Sequence, residues 1–161
     1  MVLRLAVAGT LLVLPSVASA QSAEATVDAA IYGGDAAFVL ISAALVMLMT
    51  LPGLGLFYGG LVRAKNFLSV LLQVGAVAGL ASVLWVVVGY TLAYGDSTGG
   101  WIGGGQKWMM IDLTAYRDGT TLPESTFALF QLTFAAITPA LLVGAWVDRA
   151  RFGWVLAFTR F

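Results

Sequence analysis

Between Glu124 and Arg151 the sequence reads ESTFALFQLTFAAITPALLVGAWVDRAR. Phe127, Phe130 and Phe134 recur there at spacings of three and four, which places three rings on one face of a helix. An aromatic face can bind a cation through its π electrons, or can form a dry constriction that water crosses poorly. It can equally be ordinary helix packing, and spacing alone does not separate the two. Gln131, Thr133 and Thr138 stand among the rings, with Pro139 one residue further on. Polar side chains cost free energy in hydrocarbon unless paired, so this segment is expected to pack against other helices or to line a path. Acid–base or nucleophilic chemistry has little to work with. The chain has no histidine and no cysteine, and no charged residue lies in the interior of the three complete predicted spans. Catalytic residues, a metal site and a cofactor are therefore not expected, and an enzyme is disfavoured.

The elements that must hold these rings are membrane helices. Of 161 residues, 60% are hydrophobic and only 10% are charged, against about 25% charged in soluble domains. Glu124 and Asp148 bracket 23 uncharged residues, about 35 Å of helix and enough to cross a hydrocarbon layer of about 30 Å. Two earlier runs qualify as well. A first span is predicted over about 36–58, with a kink near Met49–Pro52, because proline removes a backbone donor and crowds the preceding turn. A second is predicted over about 67–94, and the third over 124–147. Gly55 with Gly59, and Gly75 with Gly79, form Gly-x-x-x-Gly pairs that let another helix approach closely. Tyr90 and Tyr94 suit an aromatic belt at the end of the second span. The fold class is all-α, a polytopic helical membrane protein whose surroundings are the lipid bilayer. A net charge of zero gives no reason to expect a nucleic-acid partner.

The connections suggest an orientation. Residues 1–20 read as a signal peptide: Arg4, a ten-residue apolar core from Leu5 to Leu14, and Ala18-Ser19-Ala20 before the cleavage point. Residues 21–34 read as an external tail, and Asp35 as the cap of the first helix. The loop from Gly95 to Pro123 reads as a solvated connection. The two short loops hold Arg63, Lys65, Arg149 and Arg151, whereas the tail and the long loop, with Asp35 and Glu124 at the helix starts beside them, hold seven of the eight acids. By the positive-inside rule the short loops are cytoplasmic and the N-terminus is outside, in a bacterial inner membrane.

After Arg151 ten apolar-rich residues remain, 152–161. As helix they extend about 15 Å, roughly half the hydrocarbon thickness. The expectation is a fourth span that is cut short, or a frame shift near Thr159-Arg160. A short re-entrant or interfacial helix is the alternative.

Three stretches resemble the ammonium transporter family (Amt/MEP/Rh): Gly34 to Gln73, GDAAFVLISAALVMLMTLPGLGLFYGGLVRAKNFLSVLLQ; Leu84 to Gly95, LWVVVGYTLAYG; and Phe130 to Phe152, FQLTFAAITPALLVGAWVDRARF. The resemblance covers about the first third of a typical member. It implies the first three spans, and the start of a fourth, of an eleven-helix pore built from inverted repeats and assembled as a homotrimer. It also implies ammonium or ammonia as substrate, with deprotonation during passage. The family's FQxxF motif reads here Phe130-Gln131-Leu132-Thr133-Phe134, so the resemblance places the outer aromatic gate at Phe130 and Phe134. The family's paired pore histidines and the acid that orients its outer site belong to later helices. By itself this stretch is therefore not expected to conduct. The competing reading is a non-transporting helical module that binds partner helices through its glycine faces.

Overall fold

The computed structural model describes residues 32–111, 113–147 and 149–159. Three helices in it are long and apolar enough to cross a membrane: α1 (Tyr32–Leu61), α2 (Ala64–Tyr94) and α3 (Glu124–Trp146). A short fourth helix, α4, spans Phe152–Thr159. Residues 1–31, which include the signal-peptide reading and most of the tail, lie outside the described residues. Residues 32–34, assigned to the tail from the sequence, are already helical. Asp35 is consequently not a cap. It sits within α1 and accepts a hydrogen bond from the Thr121 hydroxyl of the long connection.

The two longest helices, α1 and α2, each contain a wide turn. In α1 the segment Met49–Leu54 is π-helical and holds Pro52. Proline offers no N–H to the carbonyl of Leu48, and its ring would collide with that carbonyl in a regular helix. Opening the turn by one residue relieves the collision, so the kink expected from the sequence takes this form. In α2 the wide turn is Trp85–Gly89.

A tight turn joins α1 to α2. Val62 and Arg63 are extended and Ala64–Asn66 form one 3₁₀ turn. Close packing follows from missing side chains: a Cβ on Gly55 would lie 2.7 Å from Leu71, and one on Gly59 would lie 2.6 Å from the Phe67 ring. The helix that this first glycine pair admits is thus α2. The second pair behaves differently. Nothing lies within 4 Å of a Cβ built on Gly75 or Gly79. The buried stripe of α2 is Val70, Gln73, Val74, Val77, Ala78 and Ala81, which leaves those two glycines off its packed face.

The core lies between α2 and α3, with α4 closing one end. Val70, Val74 and Val77 pack on Ala140, Val143 and Val155. On the flank of this cluster the Tyr58 hydroxyl of α1 donates to the Leu141 carbonyl at 2.9 Å. Its ring lies over Gly144, where a Cβ would be 2.5 Å away. Most of α1 stays uncovered by the other described residues: Phe38, Ile41, Leu45 and Leu48 are all more than half exposed. Such a surface suits lipid, in which apolar exposure costs nothing.

Candidate functional site: an aromatic pair under an ionic clamp

The long connection between α2 and α3 is folded onto the ends of the helices rather than freely solvated. It opens with a two-stranded antiparallel hairpin, β1 (Ser97–Thr98) and β2 (Ile102–Gly103). A turn-rich segment, Gly105–Met110, follows, its 3₁₀ winding broken at Lys107, Trp108 and Met109. The connection returns to α3 through a bridge between Tyr116 and Pro123 and a bond from the Glu124 amide to the Ala115 carbonyl, 3.0 Å.

Glu124 begins α3, where the free amides of the first turn favour a negative charge. Its residue exposure is only 5%, and a buried carboxylate needs donors. Three converge from separate elements. The Tyr90 hydroxyl of α2 donates to Oε1. Lys107 Nζ lies 2.5 Å from the same oxygen, and an Arg117 guanidinium nitrogen lies 3.5 Å from it. Tyr90, which from the sequence suited an aromatic belt, is fully buried within the protein. Its hydroxyl explains why: it has an ion to satisfy.

The two cations also lie over rings. Lys107 is 5.7 Å from the Tyr90 centroid. Arg117 is 4.0 Å from the centroid of Phe127 and 5.2 Å from that of Tyr94, distances at which the ring quadrupole attracts a cation. Tyr94 and Phe127 themselves meet edge to face at 5.1 Å. Trp85, at the wide turn of α2, contacts Tyr90 and Tyr94. Its indole N–H donates to the Ala128 carbonyl of α3 at 3.2 Å.

One turn beyond this clamp are Phe130 and Phe134. Their centroids are 5.0 Å apart and their planes cross at 79°, an edge-to-face pair. Phe130 is half-buried and Phe134 is 42% exposed. The third ring of the sequence pattern does not join them, because Phe127 is turned to Tyr94 and Arg117. The polar residues of α3 resolve locally. Thr133 donates to the Phe130 carbonyl at 2.7 Å and Thr138 to the Phe134 carbonyl at 2.8 Å, so neither hydroxyl is left unpaired in an apolar layer. Further along the same helix, α2, α3 and α4 line an open cleft of about 470 Å³ with Trp85, Gly89, Ala135, Thr138, Pro139 and Phe158. Among the described residues, no group of three His, Cys, Asp or Glu side chains is placed to hold a metal ion.

The sequence pointed to the ring pair but missed the clamp. Its available signal was modest: the only two basic residues of the long connection, Lys107 and Arg117, precede an acid at the head of an apolar run.

Comparison with known proteins bears on the whole of this region. The model of the Ammonium Transporter Family matches residues 37–161. The chain belongs to the ammonium transporter family. A putative ammonium transporter of Methanothermobacter thermautotrophicus is 45% identical over 126 residues, covering 76% of this chain and 31% of the relative. The ammonium transporter of Bacillus subtilis is 43% identical over 129 residues, with 78% and 31% covered. That of Aquifex aeolicus is 37% identical over 139 residues, with 85% and 32% covered. The chain therefore spans about a third of the length of these family members. The family match includes both rings of the pair, all four partners of the clamp and three helices able to cross a membrane.

Proposed function

We propose that this chain contributes the outer aromatic gate of an ammonium-conducting pore, with Phe130 and Phe134 as the gating rings. The observation that carries the reading is their edge-to-face contact on the open side of α3, within the segment matched by the family. A ring face offers an ammonium ion about 0.5–2 kcal/mol of attraction, or about 2- to 30-fold in occupancy at 1.4 kcal/mol per tenfold. Crossed rings also leave little room for a hydration shell, so an ion passing them sheds water. Neither ring can take a proton. The pair binds and dehydrates, and the deprotonation expected for the family is not its work. Transport rather than catalysis is the activity.

The same reading carries the membrane arrangement. The chain is a multi-pass protein of the bacterial inner membrane, exported with a signal peptide at 1–20 and having its N-terminus outside. The turn bearing Arg63 and Lys65 is cytoplasmic, and the clamp of Lys107, Arg117 and Glu124 is external. The working assembly is a homotrimer, as the family resemblance implies.

The test is a chimera in which residues 37–161 replace the matching segment of the Bacillus subtilis ammonium transporter, in cells lacking ammonium uptake. Radiolabelled methylammonium uptake is expected to be retained. Phe130→Ala with Phe134→Ala is expected to change uptake or its half-saturating concentration at least tenfold at equal membrane abundance. A parent chimera that inserts normally without uptake would overturn the transport reading. A double variant indistinguishable from an active parent would overturn the gate assignment.

A further inference from the structure

The hairpin that follows α2, with the segment just after it, carries a set of apolar side chains that no described residue covers. Trp101 is 94% exposed, and Ile102, Met109 and Ile111 are each more than half exposed. From Ser97 to Gln106 there is no charged residue. The nearest cation, Lys107, is turned away from this face to Glu124.

The position of the hairpin along α2 is fixed by backbone contact. A Cβ on Gly103 would lie 2.8 Å from the Leu92 carbonyl oxygen and 2.9 Å from the Gly95 amide nitrogen. Only glycine permits that approach. The Thr91 hydroxyl donates to the Gly104 carbonyl at 2.5 Å, and the Lys107 amide donates to the Thr91 oxygen at 3.3 Å. Strand β2 therefore lies beside the last turn of α2, level with Thr91 to Gly95, and does not stand above it. At about 1.5 Å per residue that turn is roughly 6 Å deep. This matches the thickness of the headgroup layer, which is about 5–8 Å on each side of a bilayer of about 40–45 Å with a core of about 30 Å.

We propose that this hairpin is an interfacial anchor, its outer face inserted at the boundary between lipid headgroups and acyl chains where α2 leaves the membrane, with Trp101 and Ile102 at its centre. Tryptophan favours that layer, since its ring is apolar and its N–H finds water or headgroup acceptors. Gly99 and Gly100, at φ +70° and +82°, make the turn that holds Trp101 clear of the protein. A second copy of the chain fits this face less well. A stable protein interface buries about 800 Å² per partner, whereas a hairpin built around one tryptophan, at roughly 150–250 Å² for an aromatic side chain, offers a fraction of that. The proposal rests on α2 crossing a membrane and is independent of ammonium transport.

The full chain is reconstituted into phosphatidylcholine nanodiscs whose acyl chains are brominated near the headgroups. Fluorescence of the native chain minus that of Trp101→Phe isolates Trp101. We expect shallow bromines to quench this difference signal at least twofold more than aqueous acrylamide does. Because the chain has no cysteine, a nitroxide on Ile102→Cys gives a second reading with Trp101 intact. Its collisions with oxygen should exceed those with an aqueous nickel complex, relative to a nitroxide on the exposed Asp118→Cys. Trp101 quenched from water and insensitive to brominated lipid, with Ile102→Cys matching Asp118→Cys, would overturn the proposal. So would protection that vanishes when each disc holds one chain, which would assign the face to a second copy.

Discussion

Removing the Glu124 carboxylate tests whether the clamp holds the extramembrane connection to the helices. In Glu124→Ala the fully buried Tyr90 hydroxyl loses its acceptor, and an unsatisfied buried donor costs about 1–3 kcal/mol. Lys107 and Arg117 lose their counter-ion as well. Both side chains are 30% exposed, so water repays part of that loss, and about 1–2 kcal/mol remains once solvent screening is discounted. Arg117 keeps its two aromatic faces in either case. The total is about 3 kcal/mol, or roughly a hundredfold in the population of the opened connection. Glu124→Gln retains an acceptor for Tyr90 and loses only charge, so about tenfold is expected. Trypsin reads the effect directly, because Lys107 and Arg117 are themselves its cleavage sites. When opening and closing are fast, the cleavage rate follows the open population. In detergent micelles, cleavage after Lys107 and Arg117 should accelerate about a hundredfold in Glu124→Ala, with cleavage after Arg63 and Lys65 in the opposite turn unchanged. Acceleration below twofold at Lys107 and Arg117 would refute the clamp. Equal acceleration in both turns would mean that Glu124 holds up the whole fold and not this connection.

Four other substitutions probe the packing. Gly144→Ala brings a methyl within 2.5 Å of the Tyr58 ring, so thermal unfolding in detergent should fall by the equivalent of about 1–3 kcal/mol. Gly79→Ala, with nothing in reach, should move it by less than about 0.5 kcal/mol. Tyr58→Phe removes the donor to the Leu141 carbonyl and should cost about 0.5–1.5 kcal/mol, measured in the same way. Thr91→Val deletes the hydroxyl that donates to the Gly104 carbonyl and accepts from the Lys107 amide, and hydrogen exchange should rise at the Lys107 amide with little change in the core of α2.

What the sequence revealed followed from local chemistry. Long uncharged runs set α1, α2 and α3, because a hydrocarbon layer imposes length and apolarity on any helix crossing it. The Phe130–Phe134 contact followed from a spacing of four. What escaped was tertiary. Phe127 shares the helical face of its two neighbours, yet Arg117, ten residues earlier, draws it away. Tyr90 looked interfacial because nothing local shows that Glu124, 34 residues later, will reach it. The start of α1 was placed too late because Gly33, Gly34 and Asp35 read as a tail and a cap, though the helix already includes Tyr32. Gly75 and Gly79 have the spacing of a packing pair, but spacing does not say which face of α2 the rest of the chain will cover.

The wide turn at Met49–Leu54 also governs how α1 tolerates change in chain length. A π turn amounts to a regular helix with one extra residue, so dropping a single position there would force ordinary winding and, with Pro52 kept, press its ring back against the preceding turn. The half of α1 before the turn would then swing by about 100° against the half after it. Ala43, now shielded by protein, would rotate toward lipid, while the glycines at 55 and 59 kept their seats on α2. This helix should accept many substitutions of side chain there, and no deletion.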